Sequence, residues 1–398
     1  MSMRVLLVIR DDAQKTLGGD TIQLTKTREQ LEQLGCVVVA RAAGEVEAPE
    51  RCDLAHVFNI QTFESSWAAM ESLLRKGVPT VLSSIYWDML DHWFEFAARD
   101  TPLWRALART MGPRAARGVY VAWQRRKAPR TREWQLQRRL LESARRVLPN
   151  SQSEADLLRA TFALNGTFHD KVDVVPNGID PAQYDPPPAP SEWFRQQYGL
   201  RDFVLEVGRL SPVKNQIGVI EALWDLPAPA QRAPAPIVFI GQPEPAAPEY
   251  AERCRALGAK RGNVFFIDRL PHAELPGVYA LAKVHVLPSW RETPGLASLE
   301  AAAAGCNVVT TSIGSARDYF GEHAWYCYPD DRAAIRRAVE AAIAAPGGGV
   351  GEPPSGSPAQ APLAPAPRQT ELRNRILREF TWRKAGEATL ASYRKALQ

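Results

Sequence analysis

Residues 284–311 read VHVLPSWRETPGLASLEAAAAGCNVVTT, and this one stretch contains a strand, a loop, a helix and a second strand. The apolar runs 284–288 and 308–311 have the length of buried strands. Between them, an alanine-rich helix is predicted to begin near Leu296. Short apolar strands that alternate with helices indicate βαβ units and therefore a parallel sheet.

The same alternation extends in both directions along the chain. Before residue 185 it predicts strands at 4–9, 36–40, 53–58, 79–85, 145–149 and 172–175. After residue 185 it predicts strands at 203–207, 237–241, 264–267, 284–288 and 308–311. Asp185 is followed by three prolines, which interrupt regular structure, so a domain boundary is placed there. The sequence thus predicts two α/β domains, 1–185 and 186–378, followed by a terminal helix at 379–398.

Composition narrows the class of protein. The 398 residues are 45% hydrophobic and 23% charged, which excludes a wholly disordered chain and a collagen-like fibre. No apolar run reaches the ~20 residues that span a bilayer, and the N-terminal run is interpreted as a first strand and not as a signal peptide. Five scattered cysteines without a C-x-x-C favour reduced thiols in a cytosol over disulfides or zinc. The Pro/Gly/Ala-rich stretches 225–236 and 346–367 are interpreted as a surface loop and a flexible segment.

The loop inside the opening stretch has the composition of an anion site. Gly295 lies just before the predicted helix, whose first amides, beginning at Leu296, can bind phosphate oxygens. Glu292 and Glu300, eight positions apart, lie on either side, and carboxylates accept hydrogen bonds from paired sugar hydroxyls. The pattern fits a molecule with a central diphosphate and a polyol at each end. A surface loop with a glutamate favoured by the helix dipole remains the alternative.

Two further loops follow predicted strands. Arg209 and Lys214 come after strand 203–207, at the edge where open α/β sheets bind ligands, and they suit two phosphates. Two solvated surface cations are the alternative. Gly18 and Gly19 permit a close approach of backbone to a ligand, although a plain turn is the favoured interpretation of this pair taken alone. The chain has neither G-x-G-x-x-G nor a P-loop, which disfavours a dinucleotide-binding enzyme and a P-loop NTPase.

In order along the chain, these motifs resemble the GT-B retaining glycosyltransferases of glycosyltransferase family 4 (group 1). The resemblance rests on Gly18-Gly19, 53–56, 175–180, 208–215, the pair Glu292 and Glu300, and 380–382. It implies two Rossmann-like domains whose parallel sheets face a central cleft, and a C-terminal helix that crosses back to the N-terminal domain.

The resemblance also implies residue roles. Arg209 and Lys214 would hold the diphosphate, Glu292 would contact the transferred sugar, and these three are the expected catalytic residues. Expected donor-binding residues are Gly18, Gly19, Arg269, Leu270, Gly295, Leu296 and Glu300. Of these, Glu300 would bind the ribose, the amides of Gly295 and Leu296 would cap a phosphate, and the Arg269–Leu270 backbone would meet the base. Transfer would retain anomeric configuration, with a nucleotide diphosphate sugar as co-substrate and no cofactor. The absence of an Asp-x-Asp motif favours a metal-independent site.

The chain also departs from the family pattern. Many relatives have a histidine after the fourth strand, whereas here Trp87 stands in that place and Asp88 follows. The glutamate loop reads Glu-Thr-Pro-Gly where Glu-Gly-Phe-Gly is commoner, so the sugar preference is expected to differ.

Charge is concentrated in one segment. Residues 92–146 hold 14 Lys/Arg and 4 Asp/Glu, a local balance of +10, whereas the whole chain carries +5. Trp93, Trp104, Trp123 and Trp134 lie among these cations, a combination that favours an anionic membrane surface or a lipid-linked acceptor. A solvated helical insertion with buried tryptophans is the alternative, and no nucleic-acid-binding motif is present.

Together these features predict a cytoplasmic hexosyltransferase, peripheral at the inner face of the cell membrane, that acts on a hydroxyl acceptor in surface polysaccharide or glycoconjugate synthesis. Three alternatives stay open: a nucleotide-sugar epimerase, a glycogen-type synthase, and a non-catalytic nucleotide-sugar-binding scaffold. The synthase is disfavoured because Leu17-Gly18-Gly19 lacks the lysine of the Lys-x-Gly-Gly motif.

Overall fold

A computed structural model describes residues 2–13, 18–46, 51–227, 235–345 and 367–398. The chain divides into two compact units. Unit 1 comprises Met1–Gly178 and Trp382–Gln398, and unit 2 comprises Ile179–Thr381. Each unit contains one parallel sheet with helices, which confirms the predicted α/β class.

The elements follow one another in a regular alternation. The strands are β1 (Arg4–Ile9), β2 (Val37–Ala42), β3 (Leu54–Phe58), β4 (Thr80–Ser83), β5 (Arg146–Val147), β6 (Val204–Val207), β7 (Ile237–Ile240), β8 (Val264–Ile267), β9 (Val284–Leu287), β10 (Asn307–Thr311) and β11 (Trp325–Cys327). The helices are α1 (Gly19–Gln33), α2 (Phe63–Arg75), α3 (Leu90–Trp93), α4 (Pro102–Met111), α5 (Pro113–Lys127), α6 (Arg132–Ser143), α7 (Gln152–Thr161), α8 (Thr167–Asp170), α9 (Glu192–Tyr198), α10 (Gln216–Ala222), α11 (Pro248–Arg261), α12 (Leu275–Leu281), α13 (Leu296–Ala303), α14 (Ala316–Phe320), α15 (Arg332–Ala344), α16 (Pro367–Glu379) and α17 (Trp382–Ala396).

Unit 1 is built on the strand order β2-β1-β3-β4-β5. Helices α2 and α6 pack against each other, as do α1 and α17. The terminal helix α17 therefore belongs to unit 1, and Tyr393 on it places its hydroxyl 2.7 Å from Nδ1 of His56 on β3. Nε2 of His56 lies 2.9 Å from Ser83 Oγ, and burial lowers the pKa of this histidine to about 3. His56 is thus a neutral core residue with both nitrogens paired.

Unit 2 is built on the order β11-β10-β9-β6-β7-β8. Strands β6 and β9 are hydrogen-bonded neighbours in the middle of the sheet, with Leu205 opposite His285. Because both strands run in the same direction, their following loops leave the same edge of the sheet. This topology places the loops that carry Lys214 and Glu292 side by side.

Several elements differ from the sequence prediction. Residues 172–175 form no strand: because β5 has only two residues, the segment makes a single bridge, from Val172 to Val147. Strand β11 was missed, since three residues carry too little periodicity. The chain divides after Gly178 and not near 185, and the amide of Ile179 donates to Phe380 O within unit 2 (3.0 Å). Predictions for 228–234 and 346–366 lie outside the described residues.

Candidate active site

Backbone hydrogen bonds to two other segments hold the loop after β9 in place. The amide of Trp290 donates to Val213 O in the loop after β6 (2.8 Å), and the amide of Ser315 donates to Glu292 O (3.2 Å). Gly314 has a φ of +97°, and a Cβ there would lie 2.2 Å from Glu292 O. Only glycine therefore fits behind Glu292, and the backbone that carries this carboxylate is held from two sides.

Lys214 and Glu292 form an ion pair. The lysine comes from the loop after β6 and the glutamate from the loop after β9. The Glu292 side chain is 7% exposed and that of Lys214 is 25% exposed, so the carboxylate is buried and the lysine is partly open to solvent. The structure thus brings together two of the predicted catalytic residues.

Gly295 and Leu296 begin helix α13 beside this pair. Gly295 is the residue before the first turn and has a φ of +77°, a conformation that glycine adopts without strain. The amides of Ser298 and Leu299 donate to Gly295 O at 2.9 and 3.1 Å. The amides of Leu296 and Ala297, which come before these two, have no earlier carbonyl within the helix to bind. They supply the partial positive charge that the sequence predicts for a phosphate.

Arg209 is the third predicted catalytic residue, and it is engaged by a residue that the sequence analysis missed. Its Nη1 donates to Oε2 of Glu244 (2.8 Å), which follows β7. The amides of Gly208 and Leu210 donate to Ile240 O and Gln242 O, so the backbone on either side of Arg209 is tied to the end of β7.

Buried amides hold the segment between Arg209 and Lys214. Gln216 donates from Nε2 to Arg209 O (3.1 Å) and accepts at Oε1 from Ser211 N (3.3 Å). Asn215 has a φ of +69° and donates to Pro288 O and Pro329 O at 3.3 and 2.8 Å. Asparagine tolerates this left-handed conformation better than most residues. The loop is therefore rigid where the two cations leave it.

Glu300 lies one helical turn beyond the start of α13 and accepts two hydrogen bonds. His272 donates to Oε1 at 3.0 Å, and the hydroxyl of Tyr279 donates to Oε2 at 3.2 Å. His272 follows Arg269 and Leu270 in the connection after β8, and Leu270 packs, partly buried, against the core. The predicted base-binding connection is thus linked to the predicted ribose-binding carboxylate through a histidine that the sequence analysis did not single out.

Gly18 and Gly19 lie in unit 1, apart from this set along the chain. Gly18 precedes helix α1, and Gly19 is its first residue. A Cβ on Gly19 would have no atom within 4 Å, whereas one on Gly18 would lie 2.8 Å from Asp20 Oδ1. Asp20 accepts from Arg10 Nε (2.8 Å) and from Asn59 Nδ2 (3.1 Å), side chains that follow β1 and β3.

The loop after β4 is also in unit 1 and carries the departure from the family pattern. Trp87 O accepts from Gln61 Nε2 (2.9 Å), and Asp88 Oδ2 accepts from Arg125 in the basic segment (2.9 Å). Just before them, Ile85 has a φ of +47°, which is unusual for a β-branched residue.

A buried carboxylate holds this turn on both sides. Glu154, at the start of α7, accepts from Ser84 Oγ and from the amides of Tyr86 (2.8 Å) and Asn150 (2.8 Å). Burial raises the pKa of Glu154 to about 7, against the effect of these three donors. The sequence analysis missed Glu154, although Ser151-x-x-Glu154 has the spacing of a helix-capping pattern.

Comparisons with known proteins give one consistent family. The family model described as "Glycosyltransferase Family 4" matches residues 37–183, and the model described as "Glycosyl transferases group 1" matches residues 192–348. A D-inositol 3-phosphate glycosyltransferase of Acidothermus cellulolyticus is 32% identical over 183 residues, which cover 44% of this chain and 40% of that protein. A glycogen synthase of Mycobacterium tuberculosis is 30% identical over 228 residues, covering 56% of this chain and 48% of that protein. The matched regions thus span less than half of these relatives.

Solved structures share the fold over nearly the whole chain. Sucrose-phosphate synthase from Thermosynechococcus elongatus superposes with a TM-score of 0.69 at 18% identity and covers 98% of both chains. Anabaena HepE, solved in complex with UDP and glucose, superposes with a TM-score of 0.68 at 16% identity, covering 98% of this chain and 99% of that one. The predicted GT-B fold class is confirmed.

Proposed function

Because this chain belongs to the group 1 glycosyltransferases of glycosyltransferase family 4, we propose that it transfers a hexose from a nucleotide diphosphate sugar to a hydroxyl group. The observation that carries the proposal is the pairing of Lys214 with Glu292 beside the first turn of α13. A cation, a carboxylate and helix amides in one place can bind a phosphate and a sugar hydroxyl at once.

The donor would take over contacts that the protein now makes with itself. Lys214 pairs with Glu292, Arg209 with Glu244, and Glu300 with His272. In the proposed complex, Arg209 and Lys214 turn to the diphosphate, Glu292 accepts from the transferred sugar, and Glu300 accepts from the ribose. The backbone at Arg269 and Leu270 meets the base.

The proposed chemistry retains the anomeric configuration. The bond between the anomeric carbon and the diphosphate oxygen breaks, and the acceptor oxygen forms its bond on the same face of the sugar. The acceptor proton passes to the departing phosphate. Negative charge grows on the leaving diphosphate, where Lys214, Arg209 and the amides of α13 would stabilise it without requiring a metal ion.

Binding and hydrolysis together test this function. Calorimetric titration with UDP, ADP and GDP should find a binding nucleotide, and the matching sugar nucleotide should be hydrolysed slowly. NMR of the product formed with an added acceptor should show the donor's anomeric configuration, and EDTA should leave the rate unchanged. Binding without sugar release would favour the scaffold, inversion would overturn the proposed mechanism, and loss of activity in EDTA would overturn metal independence.

A glycogen-type synthase is the second candidate, because one matched relative is a glycogen synthase. Its first-loop lysine has no counterpart in Leu17-Gly18-Gly19, of which Leu17 lies outside the described residues. Incubation of the sugar nucleotide with glycogen or maltooligosaccharides separates the two: chain elongation would favour the synthase. Conversion of the donor to an epimer would favour the nucleotide-sugar epimerase.

We further propose that the basic segment docks on an anionic membrane. Its tryptophans divide into two groups: Trp104 and Trp134 are buried, whereas Trp93 and Trp123 are 53% and 42% exposed. Other large apolar side chains exposed on the same segment are Phe96, Leu103, Met111 and Val119. Exposed apolar and basic side chains on one set of helices suit the headgroup region of an anionic bilayer. Within the described residues, no helix has the length and apolarity to cross one.

Vesicle sedimentation tests the docking surface. The protein should sediment with vesicles of phosphatidylglycerol and phosphatidylcholine at low salt, but not with phosphatidylcholine alone. The double variant Trp93→Ser/Trp123→Ser should lose most of this binding. The matched control is Trp193→Ser/Trp224→Ser in unit 2, whose tryptophans are 47% and 42% exposed. Equal sedimentation of both double variants would remove this surface from the proposal.

A further inference from the structure

Glu206 is a charged residue type in the middle of an apolar strand. It is the third residue of β6, which reads VLEV, and it is 1% exposed. Strand alternation places it on the same face as Val204, and its register partner on β7 is Phe239. An ionisable group in such a position is costly unless it is paired or neutral.

The carboxyl is only half satisfied by hydrogen bonds. Oε1 accepts from Gln216 Nε2 at 2.7 Å, whereas Oε2 is buried and has no hydrogen-bond partner. The same Gln216 nitrogen donates to Arg209 O, and Gln216 Oε1 accepts from Ser211 N. We name segment 208–215 the diphosphate loop. Hydrogen bonds from Gln216, which is itself bound to Glu206, hold this loop in place.

The charge state of Glu206 affects the site because ionisable groups from three elements lie around it. Lys214 and Glu292 act on it from the two neighbouring loops, and Tyr250 and Cys254 face it from α11. Burial raises the pKa of Glu206 well above its usual range, Lys214 opposes this, and Glu292 adds to it. Burial also raises the pKa values of Tyr250 and Cys254, so both are neutral near pH 7.

We propose that Glu206 is a positioning residue, a neutral carboxyl that orients the diphosphate loop through Gln216 and leaves the positive charge of Lys214 available to an anionic donor. The inference rests on the proposed donor role of Arg209 and Lys214. An ionised Glu206 would add a negative charge near Lys214 and weaken the attraction of this cation for a diphosphate. Neutral glutamate and glutamine are similar in shape, so glutamine should reproduce the active state, whereas leucine cannot bind Gln216.

The test is the affinity for UDP, ADP or GDP, whichever binds most tightly to the wild type, measured by calorimetry from pH 6.5 to 9.5. The wild type should lose affinity several-fold toward the alkaline end. Glu206→Gln should match the wild type within about twofold at pH 7 and should lack part of the alkaline loss. Glu206→Leu should bind about tenfold more weakly at every pH. Glu249→Gln, an exposed change on α11, is the matched control and should follow the wild type.

Each outcome has one meaning. A tenfold loss in Glu206→Gln at pH 7 would show that the residue acts as an anion and would overturn the proposal. Identical pH profiles for the wild type and Glu206→Gln would show that ionisation of Glu206 does not weaken nucleotide binding, and they would also overturn the proposal. If the wild type binds none of the nucleotides, the proposed function fails, and this inference fails with it; if it binds them and the variants behave alike, only the inference fails.

A second measurement needs no variant. In wild-type protein labelled with carbon-13 at glutamate carboxyls, one resonance should keep the shift of a protonated acid at pH 8. Glu154, whose pKa is raised only to about 7, should be mostly ionised there. A spectrum with every glutamate ionised at pH 8 would overturn the proposal even if Glu206→Gln failed to fold.

Discussion

Glu154, at the start of α7 in unit 1, and Glu206, inside strand β6 of unit 2, are both fully buried carboxyls, but they differ in their hydrogen-bond donors. Glu154 accepts from a hydroxyl and two amides, and burial raises its pKa only to about 7. Glu206 accepts from one side-chain amide, and burial raises its pKa well above the usual range. Burial disfavours the charge in both cases, and the hydrogen-bond donors, with the charges of Lys214 and Glu292 near Glu206, decide how far the charge is lost.

The two carboxyls also support different kinds of loop. Glu154 holds a turn in which Ile85 has a left-handed backbone. Its backbone donor Asn150 also belongs to a buried hydrogen-bonded group of neutral side-chain amides with Gln23 and Asn177. Glu206 supports a loop whose side chains are ion-paired. Backbone strain is maintained only where neighbouring groups over-determine it. The turn at Ile85 therefore depends on the shape of its hydrogen-bonded surroundings, whereas the diphosphate loop presents cations that are held in ion pairs.

The largest expected effect comes from removing the central charge of unit 2. Lys214→Ala should lower kcat by about 10²–10³, because it removes a donor that stabilises charge developing on the leaving diphosphate. Turnover of the sugar nucleotide measures this. Lys260→Ala, which removes an exposed cation of the same unit, should leave the rate within twofold. Equal rates for the two variants would show that charge at this edge does not control the reaction.

Removing the carboxyl of Glu154 should instead reduce stability. Glu154→Ala leaves Ser84 Oγ and the amides of Tyr86 and Asn150 without an acceptor, at a cost of about 3 kcal/mol in the free energy of unfolding. Urea denaturation followed by circular dichroism measures the loss. Glu71→Ala on the exposed face of α2 serves as control. A loss of less than 1 kcal/mol in the free energy of unfolding would mean that the turn at Ile85 is stable without the carboxyl of Glu154.

The same residue gives a pH dependence with a defined sign. The folded pKa of about 7 lies above the usual 4.5, so between these values the native state keeps a proton that the unfolded state releases. Stability from this group is greatest below pH 4.5, falls as the pH rises to 7, and is constant above. The unfolding free energy of the wild type relative to Glu154→Gln should fall by about 2–3 kcal/mol from pH 5 to pH 8. A flat difference would show that the three donors hold the carboxylate ionised throughout.

In unit 2, a smaller effect is expected at the far end of the proposed donor. Glu300→Ala should weaken nucleotide binding about tenfold, because a carboxylate that accepts from ribose hydroxyls is lost. Titration with the free nucleotide diphosphate isolates this contact from the sugar. Glu340→Ala on α15 removes an exposed carboxylate of the same unit as a control. Unchanged affinity for the free nucleotide would remove Glu300 from the ribose site.

The sequence was sufficient for the fold because each long apolar run between helices became a strand, and parallel strands place their following loops at one edge. It failed where periodicity is short or ambiguous: β11 has three residues, and 172–175 resembles a strand but has only a two-residue neighbour to pair with. Whether a segment pairs as a strand depends on the strand beside it in the sheet, and the local sequence pattern carries no information about that neighbour.

The candidate site shows the same division. Lys214 and Glu292 were found because each follows a strand, and their pairing follows from the adjacency of β6 and β9. The partners of the other site residues were missed, since Glu244 and His272 come from other connections and no spacing links them to Arg209 and Glu300. Gln216 directly follows the diphosphate loop, but nothing in the local pattern marks its hydrogen bonds back to that loop. Glu206 was visible as a charge inside an apolar run, but its role depends on Gln216, ten residues further along the chain.

The smallest expected effect concerns Glu244, which tests whether the ion pairs of unit 2 compete with the donor. Its carboxylate holds Arg209 through a half-exposed pair at 2.8 Å, and such pairs contribute about 0–1 kcal/mol. Glu244→Gln keeps the shape and removes the charge, so the guanidinium exchanges partners more easily and the nucleotide diphosphate should bind about two- to fivefold more tightly. Calorimetry at low and high salt measures the gain, with Glu249→Gln as the control. Weaker binding would mean that Glu244 orients Arg209 for the diphosphate, in which case the diphosphate loop, like the turn at Ile85, depends on the shape of its supports as well as on its charge.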